Sequence, residues 1–120
     1  MILNKNLLND FLSYDYVGAP WKNGMVGNGG LSLRRKSKMI EICEKVNPNC
    51  ARCDDVYFSC QTIVPLNKPS YQEAKLFSIE TVFHETSFGI HACWKYLNKY
   101  EMNYLLNKYP DIAILIELNK

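Results

Sequence analysis

Two carboxylates stand side by side at Asp54-Asp55-Val-Tyr-Phe, and about twenty residues earlier runs Val26-Gly-Asn-Gly-Gly-Leu-Ser-Leu-Arg34. A carboxylate within hydrogen-bond reach of a hydroxyl can take its proton. Glycine leaves bare backbone that another molecule can approach, and it tolerates positive φ. A candidate base beside such a backbone suggests a binding and proton-transfer site. Each half also has an ordinary structural explanation. Paired Asp residues at a helix start serve capping and the helix dipole, and a glycine cluster before a strand serves a tight turn.

The glycine string is no phosphate loop. A dinucleotide fingerprint starting at Gly27 would need Gly or Ala at position 32, where Ser32 stands. The fingerprint also leaves a strand and opens a helix, whereas these glycines enter a strand. No Gly-Lys-Ser/Thr ending follows. Trp21 and Tyr16, just upstream, are candidates for an aromatic platform under a sugar ring, with core packing as the plain alternative.

The elements that would position these groups follow from periodicity and punctuation. Leu7, Leu8, Phe11 and Leu12 are spaced as on a helix, and residues 14–18 read as a short strand ending at Gly18. Residues 19–24, with Pro20 and Asn23-Gly24, read as a loop. From Gly29 to Arg34, Leu31 and Leu33 alternate with Ser32 and Arg34 as in a strand. Residues 36–46 fit an amphipathic helix with Met39, Ile42, Cys43 and Val46 on one stripe, stopped at Asn47-Pro48-Asn49. A short helix is expected over 54–60 with Asp54 as N-cap, leaving the Asp55 side chain free to face a cleft. Residues 62–69 read as an irregular connection, and Ser70-Tyr-Gln-Glu73 as a capping box that opens a helix. Residues 77–83 read as a strand, 87–91 as a loop or short strand, and 100–108 as a helix. For 110–118 a buried strand and a second helix stay equally open.

Bulk numbers narrow the function classes. A length of 120 residues allows one domain over 1–120, and 48% hydrophobic with 22% charged residues is an ordinary globular composition. A net charge of +2, from scattered lysines, does not make the basic patch of a nucleic-acid binder. The N-terminus is interrupted by polar residues too early for a signal peptide, and the run Ile112–Ile116 is too short to span a bilayer. Five cysteines fit reduced thiols better than a disulfide framework. The expectation is a soluble, cytoplasmic chain without a membrane span. Cys43, Cys50, Cys53 and Cys60 leave a zinc-stabilised interaction domain as an alternative. Neither a Ser-His-Asp order nor a Gly-x-Ser-x-Gly elbow is present to support hydrolase chemistry.

Read together, Tyr14-Asp-Tyr-Val-Gly-Ala-Pro-Trp21, the 26–34 string, Asp54-Asp-Val-Tyr-Phe58 and Phe88-Gly-Ile-His91 resemble a family of largely uncharacterised glycosyltransferase-like domains. The resemblance spans roughly residues 10 to 97, and Gly-Asn-Gly-Gly-x-Ser-Leu-Arg is its most specific part. In that family the acidic pair is usually Glu-Asp; here it is Asp-Asp, which keeps the second carboxylate. The resemblance implies an α/β fold similar to the C-terminal half of a GT-A-like nucleotide-sugar transferase, a short mixed sheet with flanking helices. It implies an inverting transfer of a sugar from a nucleotide-sugar donor to a hydroxyl acceptor. Asp55 would be the base, with Asp54 as the alternative. Trp21, Gly27, Asn28, Gly29, Gly30 and Glu80 would line the substrate, and His91 would ligate a divalent cation, Mn or Mg. No Asp-x-Asp occurs in the chain. The resemblance therefore implies a partial domain whose donor-binding half is separate. A non-catalytic carbohydrate- or partner-binding module is the non-enzymatic alternative.

Overall fold

The computed structural model describes all residues, Met1–Lys120, as a mixed α/β fold in which helices flank a small antiparallel sheet. A 3₁₀ segment, Lys5–Phe11, leads into β1 (Tyr16–Pro20) and β2 (Val26–Arg34). Next come α1 (Lys36–Lys45), a 3₁₀ turn at Pro48–Cys50, α2 (Asp54–Cys60) and α3 (Tyr71–Phe77). β3 (Ser78–Ile79) and β4 (Gly89–Ile90) follow, then a 3₁₀ turn at Cys93–Lys95, α4 (Lys99–Lys108) and α5 (Ile112–Leu118). No helix is long and apolar enough to cross a membrane.

Instead of one mixed sheet there are two separate pairs. β1 and β2 are antiparallel, and β3 and β4 are parallel. β1 runs two residues further than its apolar pattern suggests, through Ala19 and Pro20, because both are buried. β2 begins at Val26, so the glycines lie inside the strand rather than before it. The expected strand over 77–83 shrinks to Ser78–Ile79, since Phe77 still closes α3 and its ring enters the core. Residues 110–118 resolve as the helix α5. It buries Ile112 and leaves Ile114 and Leu118 exposed, so one side only meets the core.

The core has three parts. Ile79, Ile90, Cys93, Leu105 and Ile112 join β3 and β4 to the C-terminal helices. Phe11, Val17, Phe77 and Phe88 fill the space between β1 and α3, with the Phe77 and Phe88 rings stacked at 5.4 Å. Ile42, Val46 and Val64 anchor α1. Cys43, expected on that stripe, is exposed, because the inward face is carried by Ile42 and Val46 with Met39 packed beside them. Tyr16 is fully buried, so it is not a platform for a ligand.

Capping fixes two of the helices. Ser70 and Glu73 form the reciprocal box at α3, and Asn98 with Glu101 forms a second at α4. α2 departs from the expected capping. Its N-cap is Cys53, in extended backbone and without a side-chain cap, and Asp54 is the first helical residue. The Asp54 carboxylate is drawn instead to Arg34, 3.0 Å away.

A cleft beside the glycine bulge

The glycine string becomes a bulge in a two-stranded ribbon. β1 and β2 pair in register from Tyr16↔Arg34 to Gly18↔Ser32, and the next pair is Ala19↔Asn28. Residues 29–31 thus stand opposite no residue of β1, and such a bulge bends the strand and re-aims its backbone. Asn28 closes it from within: its Oδ1 accepts the Gly30 N–H at 2.9 Å, and the residue is buried. Ser32 Oγ donates to Gly29 O at 3.5 Å and accepts from Arg34 Nε at 3.1 Å. The Arg34 guanidinium lies over the rings of Tyr16 and Phe58 at 5.0 and 5.4 Å, which ties β2 to α2.

Two glycines are required by what lies against them. Gly27 has φ +132°, and a Cβ there would lie 2.3 Å from Ser59 Cβ on α2. At Gly30 an added Cβ would lie 2.0 Å from His91 Nδ1. The bulge is therefore a seam, with α2 against one part of it and the residue after β4 against another.

Asp55 belongs to the α2 side. Its Oδ2 accepts the Gly29 N–H at 3.3 Å, and Oδ1 accepts its neighbour Val56 N–H at 2.8 Å. The half-buried carboxylate lines a cleft of about 670 Å³ together with Trp21, Met25, Thr81 and Tyr96. Asp54 lines no part of this cleft; its side chain is 70% exposed and holds Arg34. The structure thus separates the two carboxylates, one in the cleft and one in a surface ion pair.

Glu80 and His91 sit together elsewhere. Glu80 Oε2 lies 3.0 Å from His91 Nδ1, and neither residue lines the large cleft. Of the residues the sequence singles out, Trp21 and Asp55 share the cleft. Gly27, Asn28, Gly29 and Gly30 do not line it: Gly29 meets Asp55 through its N–H, Gly27 packs on Ser59, and Gly30 packs on His91, which pairs with Glu80 as a second group. No three His, Cys, Asp or Glu side chains gather into a group able to hold a metal ion. His91 Nδ1 is engaged with Glu80, and Nε2 is the ring nitrogen outside that contact.

Sequence reasoning missed Thr81 and Tyr96. Tyr96 comes forty-one residues after Asp55 with no pattern linking them, and reaches the cleft only through the turn at Cys93–Lys95. Cys53 and Cys60, at opposite ends of α2, line the same cleft.

Burial pushes the Tyr16 hydroxyl up to about 12, with the nearby Asp55 and Asp54 adding to the shift against Arg34. Its phenol is buried without a hydrogen-bond partner, and so is Ser78 Oγ. Burial also pushes the Cys93 thiol up to about 11.

No curated protein and no solved structure matches the chain. A family model matches residues 1–91, a span that holds the bulge, both carboxylates, Glu80 and His91 and stops short of Tyr96. The chain belongs to that family, described as proteins of unknown function, DUF5672.

Proposed function

We propose that this chain is the acceptor side of a sugar transferase, built on part of a GT-A-like fold, with the cleft beside the bulge as its sugar site. The observation that carries the reading is the position of Asp55: a carboxylate braced by the Gly29 N–H, in one cleft with Trp21. Aromatic side chains offer a flat apolar face to a pyranose ring, and Trp21 and Tyr96 supply two such faces here. A cleft of about 670 Å³ lies within the usual range for small-molecule sites.

In this reading Asp55 accepts the proton of the acceptor hydroxyl as its oxygen attacks the anomeric carbon. The new glycosidic bond forms as the bond to the nucleoside diphosphate breaks, with inversion at that carbon. The Gly29 N–H holds the carboxylate in place. A divalent cation, Mn²⁺ or Mg²⁺, supplies charge neutralisation to the leaving diphosphate when bound. In this chain His91 Nε2 would be the nitrogen offered to it, and other ligands would have to come from outside the chain.

The test is sugar transfer, or hydrolysis of the nucleotide sugar, by this chain together with a donor-binding half. Asp55→Asn is expected to lower the rate about 10²-fold or more, and a variant with full rate removes Asp55 as the base. A second reading, a carbohydrate-binding module, is favoured by the absence of any Asp-x-Asp in the sequence. Glycan binding without metal-dependent nucleotide binding would select it.

A further inference from the structure

The ends of β3 and β4 place two residues in register that lie outside the lining of the large cleft. The parallel pairing Ser78↔Gly89 and Ile79↔Ile90 brings Glu80 and His91 next in line. The His91 N–H donates to Ile79 O at 3.1 Å, which fixes its backbone to β3. Ile79 and Ile90 are fully buried, so the pair stands at the edge of the C-terminal core.

Three constraints converge on the His91 ring. Glu80 is 6% exposed, and its one hydrogen-bond partner is His91 Nδ1 at 3.0 Å. Gly30 packs against the ring so closely that a Cβ there would lie 2.0 Å from Nδ1. The chain then leaves through Ala92 at φ +45°, a left-handed conformation that non-glycine residues seldom adopt. Strained backbone persists where its surroundings over-determine it, and it gathers at sites that hold a group in place. The His91 side chain is nonetheless 47% exposed, so the ring is gripped on one edge and open on the other.

An ionised carboxylate only accepts hydrogen bonds, so the proton it shares with a neutral imidazole belongs to Nδ1. The other nitrogen then carries the lone pair, and the bond made by one ring nitrogen sets the chemistry of the other. We propose that Glu80 is a positioning residue for His91. It holds the imidazole as the Nδ1–H tautomer, so that Nε2 is the unprotonated nitrogen offered at the edge of the glycine bulge. This goes beyond the sugar-transfer reading and needs neither a sugar nor a cation, so each can fail without the other.

The experiment reads the tautomer directly, by long-range ring correlations in ¹⁵N-histidine-labelled protein at a pH where imidazole is neutral. The chain has two histidines, so His84 serves as an internal reference. Its Nδ1 lies within hydrogen-bond distance of Thr86 O and N, a different set of partners from those of His91. The unaltered chain is expected to show His91 as Nδ1–H. In Glu80→Leu that preference is expected to shift to the Nε2–H form, while the His84 signals stay in place. His91 found as Nε2–H in the unaltered chain overturns the proposal, and so does an unchanged tautomer in Glu80→Leu. If the His84 signals show that Glu80→Leu has lost its fold, the nearly isosteric Glu80→Gln decides. Its neutral amide no longer demands a proton on Nδ1, so the Nδ1–H population must fall, and an unchanged population overturns the proposal.

Discussion

Neighbouring residues of the same type have different fates in this protein. Asp54 and Asp55 differ by one step along α2, and that step turns one carboxylate outward to Arg34 and the other into the cleft. An exposed ion pair contributes about 0–1 kcal/mol. Asp54→Ala is therefore expected to leave the melting temperature nearly unchanged, read by thermal unfolding. Gly27 and Gly30 divide in a similar way. Gly27→Ala combines a forbidden φ with a clash against Ser59, and Gly30→Ala clashes only with the His91 ring. Overpacking costs about 1–3 kcal/mol, and strain at positive φ adds to it. Denaturant unfolding should therefore rank Gly27→Ala as the more damaging, and equal losses would deny the backbone contribution at Gly27. Thiol reactivity follows burial. Cys43, Cys50 and Cys53 are exposed, while Cys93 is buried with its thiol raised to about 11. Alkylation of the folded chain near neutral pH should modify the first three and spare Cys93, as read by mass spectrometry of the fragments.

Among the elements, caps and one acid-sensitive junction set the stability. The Ser70–Glu73 box starts α3, which carries Phe77 into the core, and removing an N-cap costs about 1 kcal/mol. Ser70→Ala should lower stability by that order in thermal unfolding. Asp15 pins the start of the β1–β2 ribbon: its Oδ2 accepts Asn67 N–H at 2.8 Å and its Oδ1 meets Arg35 Nε at 2.7 Å. The Asn67 N–H, with Arg35 beside it, holds the Asp15 carboxyl below its ordinary value of 3.8. Its contribution is thus present above that value and is lost as pH falls through the lower value of the folded state. Asp15→Asn should flatten the acid limb of stability below about pH 4, measured as denaturation midpoint against pH. An unchanged limb would place the acid sensitivity elsewhere.

For the whole molecule, the family match and the packing have different limits. The matched span ends at His91, yet Leu105 of α4 and Ile112 of α5 are fully buried against Ile79, Ile90 and Cys93. Truncation after Leu97 would expose that cluster and loosen the strand ends that hold Glu80 and His91. The truncated chain is expected to lose cooperative unfolding and to bind an apolar dye, and retention of a sharp transition would show that the matched span folds alone.

What the sequence determined by itself is mainly local. The Ser70–Glu73 box and the extent of α2 rest on contacts within a few residues, and the structure keeps them. The glycine string was legible as unusual backbone, because glycine is the residue that meets such demands wherever they fall. What the string was for was not legible. Its bulge depends on pairing with β1, its close contacts come from Ser59 and His91, and Tyr96 joins Trp21 and Asp55 only after the C-terminal turn. Asp54 looked like a cap by position, and the competing pull of Arg34, twenty residues away in the chain, decided otherwise. Local sequence fixes which conformations are inexpensive, whereas distant side chains packed against them choose among those conformations. That is why the residues of the cleft could be named in part from the chain, and why the partnership of Glu80 with His91 needed the register of β3 and β4.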